Sequence, residues 1–140
     1  MKVIFSKSHS LIPMIIRAVT WSRWHHCAAI MEDGETVIES RGGIGVIETP
    51  LAEFKARYRD WHISELDCVD EKAAYDFLRS QIGAGYDIKA VFGIFFRTAW
   101  DGRENWSCSE LVGKASGRIR ESRVSRISPE HLWLITYDLG

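Results

Sequence analysis

The sequence predicts a mixed fold of short strands and capped helices around one core, and three observations carry that prediction. At 140 residues the chain is long enough to bury a core without staples and short enough to be one domain. Residues 26–31 and 35–40 flank Asp33-Gly34, a strong short-range signal for a β-hairpin. Ser107 and Glu110 stand three apart just before an apolar run, the spacing of a capping box at a helix start.

The elements follow in chain order. Residues 2–6 are short and apolar enough for a first strand. Ser10 is placed to cap a helix carrying Leu11, Ile12, Ile15, Ile16 and Val19, with Pro13 tolerated in its first turn. The hairpin comes next. With Asp33-Gly34 as a two-residue loop, Glu32 faces Glu35, Ala28 faces Glu39, Cys27 faces Ser40 and His26 faces Arg41. Alternation then puts His26, Ala28, Val37, Glu39 and Arg41 on one face, with His26 and Glu39 as diagonal neighbours. It turns His25 and Cys27 to the other.

Gly42, Gly43 and Gly45 lead into a strand at Val46-Ile47. Thr49 and Pro50 read as N-cap and first residue of a short helix with Leu51, Phe54 and Tyr58. Residues 61–66 alternate in part and predict a strand. Asp70 caps a helix with Ala74, Phe77, Leu78 and Ile82 on one face, closed by Gly83-Ala84-Gly85. A second apolar segment spans residues 88–96. The capping-box helix presents Leu111, Val112, Ala115 and Ile119 at helical spacing. Ser128-Pro129 opens a last helix with Leu132 and Leu134, and residues 135–137 return as an edge strand.

Composition narrows the function. A net charge of -1 argues against a dedicated nucleic-acid surface, which needs concentrated positive charge. The arginines of residues 114–126 read as a solvated helix edge and loop. Three cysteines, Cys27, Cys68 and Cys108, with no C-x-x-C, speak against a disulfide framework and a structural zinc site. No metal and no cofactor is expected. The first residues lack a secretory layout, and the apolar run 11–19 is too short to span a bilayer, so a cytoplasmic setting is expected, with lysis or another export route as the way out.

Cys108 falls in the first turn of the capping-box helix, where unpaired N–H groups and the positive end of the helix dipole favour an anion. A thiol there ionises more easily than usual, and the thiolate is the nucleophile. The competing reading is a small buried cysteine at a helix start. Cys, His and a carboxylate are the parts of a thiol hydrolase, with His26 moving the proton and Glu39 holding its tautomer. N–H groups at the helix start, that of Cys108 included, would stabilise an oxyanion. The competing reading of His26 and Glu39 is a satisfied core pair.

The chain resembles the circularly permuted NlpC-type papain-like cysteine hydrolases, the YaeF/YiiX-like group. The matching pieces are Phe5-Ser6-Lys7-Ser8, Trp24-His25-His26-Cys27-Ala28-Ala29-Ile30, Val37-Ile38-Glu39-Ser40, Gly45-Val46, Tyr86-Asp87, Cys108-Ser109-Glu110-Leu111-Val112 and Ser128-Pro129-Glu130-His131-Leu132. They cover nearly the whole chain in family order, and the Cys-Ser-Glu word and the His-to-Glu hairpin are the specific ones. The resemblance implies an α+β fold, an antiparallel sheet with packed helices, as a single permuted papain-like domain over residues 1–140. It implies Cys108 as nucleophile, His26 as general base and acid, Glu39 as orienting residue, and Tyr86 and Ser109 lining the substrate or oxyanion site. The implied reaction is amidase or peptidase chemistry through a thioester, on peptide amide bonds of the peptidoglycan type. Acyl transfer, hydrolysis of a lipid substrate on the same site, and an inactive binding module are the alternatives. The expected partner is a peptide or acyl small molecule. Cys27 departs from the family, which has a larger aliphatic residue there, and so sets a second thiol next to His26.

Overall fold

A computed structural model describes residues 1–7, 22–86 and 105–138. The helix expected over residues 11–19 and the apolar segment 88–96 lie outside them. The expected α+β architecture is present. Six strands form one antiparallel sheet: β1 (Lys2–Lys7), β2 (His26–Ile30), β3 (Thr36–Arg41), β4 (Gly45–Pro50), β5 (Asp60–Glu65) and β8 (Tyr137–Asp138), in the order β4-β3-β2-β1-β5-β8. Helix α1 (Leu51–Arg57) follows β4, and α2 (Glu71–Ser80) follows β5. Strands β6 (Gly85–Tyr86) and β7 (Asn105–Trp106) make a separate parallel pair leading directly into α3 (Cys108–Ser116). Two short helices, α4 (Glu121–Val124) and α5 (Pro129–Leu134), precede β8.

The sheet buries both faces. On one side Val3, Phe5, Cys27, Ala29 and Ile38 pack against Leu78 of α2, Leu111 and Val112 of α3, and Leu132 of α5. On the other, Ile4, Ala28, Ile30 and Val37 pack against Phe54 of α1. Period-two alternation explains how one strand supplies both layers.

The β2–β3 hairpin keeps the expected register, with Ala29 opposite Ile38 and Ile30 opposite Val37. Its loop is longer than expected. The Met31 N–H donates to the Thr36 carbonyl at 2.9 Å, so four residues turn the chain. The Asp33 carboxylate explains this, accepting from the N–H groups of Glu35 and Thr36 and from the Thr36 hydroxyl at 2.7 Å. Widening a loop symmetrically about its centre leaves the pairing unchanged.

Three other expectations need correction. Thr49 does not cap α1: Pro50 holds the cap position, and Thr49 ends β4 with its hydroxyl turned to Glu39. Ile119 falls beyond α3, which Gly117 ends in the left-handed conformation at φ 66°. Leu134, the last residue of α5, is 71% exposed, and Ile82, beyond the end of α2 at Ser80, is 45% exposed. Among the described residues no helix is long and apolar enough to cross a membrane.

Candidate active site

The site lies where β2 begins and α3 begins. Ser107 caps α3, accepting from the Glu110 N–H at 3.3 Å, while the Glu110 carboxylate accepts from the Ser107 N–H at 3.0 Å. The capping box expected from the sequence is therefore formed. It leaves Cys108 as the first helical residue, 7% exposed.

Across from it the hairpin opens. Strands β2 and β3 are paired only at Ala29 and Ile30, which leaves the first residues of β2 without a partner on β3. Ser40 of β3 instead donates its hydroxyl to the Trp106 carbonyl, tying the approach to α3 into the gap. The Met31 N–H points to β3, so alternation points the Cys27 N–H the same way. There it faces Cys108 instead of a strand, and the Cys27 thiol and backbone both favour the Cys108 thiolate.

His26 is 8% exposed, and its Nε2 lies 2.7 Å from Oε2 of the fully buried Glu39. Its ring also interacts with Cys108, while Nε2 is committed to Glu39. Phe54 stacks on the imidazole at 5.7 Å between centroids and an interplanar angle of 19°. The structure thus brings Cys108, His26 and Glu39 into one chain of contacts.

His25 is not turned fully away. Strand β2 starts only at His26, so alternation does not govern the residue before it, and both rings lie against Tyr58, at 5.8 and 5.9 Å. His26 is the ring on Glu39, and it interacts with Cys108.

Two residues around Glu39 were not read from the sequence as part of the site. The Thr49 hydroxyl donates to Oε1 at 2.8 Å. The Arg57 guanidinium reaches both carboxylate oxygens, pairing with Oε1 and lying 3.4 Å from Oε2. In the β3–β4 register Glu39 faces Ile47 and Val37 faces Thr49, so Thr49 is a diagonal neighbour of Glu39 on the same face. The glycine-rich turn at residues 42–45 could have yielded that register. Arg57 sits at the end of α1, on another element, and no local spacing points to it.

The other two expected residues are placed differently. The Ser109 hydroxyl donates to the Ile127 carbonyl at 2.6 Å, fixing α3 to the loop before α5, which leaves its backbone N–H as the group available to an oxyanion. The Tyr86 backbone pairs with Trp106, two residues before Cys108. A role for the Tyr86 side chain lies outside the described part.

The electrostatics follow from the contacts. Burial alone would lower the His26 pKa, but the hydrogen bonds to Cys108 and Glu39 outweigh it and raise it from 6.5 to about 10. Hydrogen bonding from Cys27 comes first in pulling the Cys108 thiol well below its ordinary value, with His26 adding to it against burial. Burial opposes ionisation of Glu39, yet His26, Arg57 and Thr49 hold it at about 2. Burial pushes Cys27 well above the ordinary thiol value, so it stays protonated. At neutral pH the arrangement is a thiolate, an imidazolium and a carboxylate in series.

No family model and no curated protein matches the chain. Among solved structures, the crystal structure of the metalloprotein YiiX of Escherichia coli O157:H7 (DUF1105) aligns with it at a TM-score of 0.62 and 23% identity, over 81% of this chain. The chain spans 62% of that protein's length. The likeness shows a shared fold. YiiX is described as a metalloprotein, and the described residues of this chain do not offer a matching donor set. Among the described residues no group of three or more His, Cys, Asp or Glu side chains is placed to hold one.

Proposed function

We propose that this chain is a cysteine hydrolase of the permuted papain-like, NlpC type. Cys108 is the nucleophile, His26 the proton carrier and Glu39 the residue that orients it. The observation that carries this reading is His26 itself, 2.7 Å from Glu39 through Nε2 and interacting as well with a cysteine at a helix start. A structural pair would need only the first of these interactions.

The Cys108 thiolate attacks the carbonyl carbon of an amide, and the oxyanion forms beside the N–H groups of the helix start. The His26 imidazolium gives its proton to the leaving amine as the C–N bond breaks, which leaves a thioester on Cys108. Neutral His26 then takes a proton from water as that water attacks the thioester. The acid product departs, and thiolate and imidazolium are restored. Glu39, fixed by Arg57 and Thr49, stabilises the imidazolium throughout. The substrate class rests on the resemblance: peptide amide bonds of the peptidoglycan type.

The test is to incubate the protein with stem peptides and with acyl esters, quench, and read the intact mass. An acyl adduct on Cys108 that is absent from Cys108→Ala, with cleaved peptide accumulating, is the expected result. Turnover by Cys108→Ala equal to that of the wild type would refute the assignment.

A further inference from the structure

Cys27 exchanges no proton and forms no bond in the hydrolysis just described, yet it is the thiol that acts most directly on the nucleophile. It is fully buried in β2, belongs to the same apolar cluster as Cys108, and favours the Cys108 thiolate. The opening between β2 and β3 creates this approach, because a continued ladder would have set Ser40, not α3, beside Cys27. Cys68 has neither feature: it is half-buried on the segment between β5 and α2, with its thiol 3.7 Å from the Leu66 carbonyl.

We propose that Cys27 and Cys108 form a peroxide-responsive thiol pair, in which a hydroperoxide oxidises Cys108 and Cys27 closes a reversible disulfide on it. The Cys108 thiolate attacks the outer oxygen of the hydroperoxide. The O–O bond breaks, sulfur is oxidised by two electrons to a sulfenic acid, and the alkoxide or hydroxide leaves with the His26 proton as an alcohol or water. The Cys27 thiol then passes its proton to His26 while its sulfur attacks the Cys108 sulfur. The S–S bond forms, the S–OH bond breaks, and the departing hydroxide takes that proton from His26 as water. A dithiol reductant reverses the bond by thiol–disulfide exchange.

Two features favour the disulfide over deeper oxidation. A resolving thiol already in contact captures the sulfenic acid before a second peroxide can arrive. Cys108 itself is also only 7% exposed. The pair would switch the proposed hydrolase off without loss of the nucleophile. The chemistry itself needs only the two thiols and His26, so it can be tested apart from hydrolysis.

The reduced full-length protein is treated with hydrogen peroxide at neutral pH, alkylated, digested and mapped by mass spectrometry. The expected product is a Cys27–Cys108 linked peptide that dithiothreitol returns to two free thiols, with Cys68 still alkylated. Cys27→Ala should give no linked peptide and should carry sulfenic and sulfinic acid on Cys108, the former trapped by dimedone. Cys68→Ala should behave as the wild type. Wild-type protein that accumulates sulfinic acid at Cys108 with Cys27 still free, or links Cys108 to Cys68, would overturn the proposal. That map is decisive even if Cys27→Ala fails to fold. Disulfide formation without any amide turnover would count against the hydrolase reading alone.

Discussion

Glu39 is a fully buried carboxylate with every approach occupied: His26 and Arg57 at one oxygen, Thr49 and Arg57 at the other. Such a group either stabilises the fold or orients the base, and the two roles differ in what a substitution changes. Loss of the analogous acid in a serine triad costs about 10⁴-fold, so Glu39→Ala should lower kcat by roughly 10²–10⁴-fold with KM little changed. Unchanged turnover per folded molecule in a destabilised Glu39→Ala would leave only the structural role. His26→Ala should abolish turnover, while His25→Ala should leave most of it, because His26 lies on Glu39 and interacts with Cys108. Comparing kcat for the two alanine variants checks this, and an inactive His25→Ala would show that the base is misassigned. His26 and Glu39 were legible in the sequence because hairpin register and alternation are local rules. Arg57 was not, because its approach to Glu39 depends on how α1 packs on the sheet.

Among the elements, α3 and β4, which lies beside the Glu39 strand, each have one residue that holds them. Ser107 satisfies the Glu110 N–H at the start of α3. Ser107→Ala should cost about 1 kcal/mol, the usual effect of losing such a cap, and equilibrium denaturation measures it. Gly45 is where the start of β4 meets the loop after α2. It holds φ 102°, and a Cβ there would come 2.2 Å from the Ala84 carbonyl oxygen, which already accepts from the Val46 N–H. Gly45→Ala should therefore lower the melting temperature more than Ser107→Ala does, since both the backbone and its neighbour must move. Equal melting temperatures for the two variants would contradict this. Helix starts at Asp70, Ser107 and Ser128 were readable because a cap is a side chain three residues from its partner. The opening of the β2–β3 ladder was not. It is set by Ser40 reaching the Trp106 carbonyl, a contact across 66 positions of the chain.

For the whole molecule, the buried charges tie stability to pH in a definite direction. Glu39 is held at about 2 against an ordinary 4.5, so the stability it contributes is complete above 4.5 and is lost as pH falls through about 2. His26 is raised from 6.5 to about 10, so its contribution is complete below 6.5 and disappears as pH rises through about 10. Melting temperature across the acid range should fall less steeply for Glu39→Gln than for the wild type, although the variant starts lower. Parallel curves would show that Glu39 does not carry the acid limb. The shared fold with YiiX bears on the architecture, whereas the site depends on this chain's own residues. The central claim is that Cys27 and His26 hold Cys108 as a thiolate at neutral pH, and the rate of its alkylation by iodoacetamide against pH tests that most directly. The expected profile for Cys108 has its midpoint well below the ordinary thiol value of 9.0, shifts upward in His26→Ala, and lies below that of Cys68 in the same digest. A Cys108 that labels no earlier in pH than Cys68, in both proteins, would contradict the account.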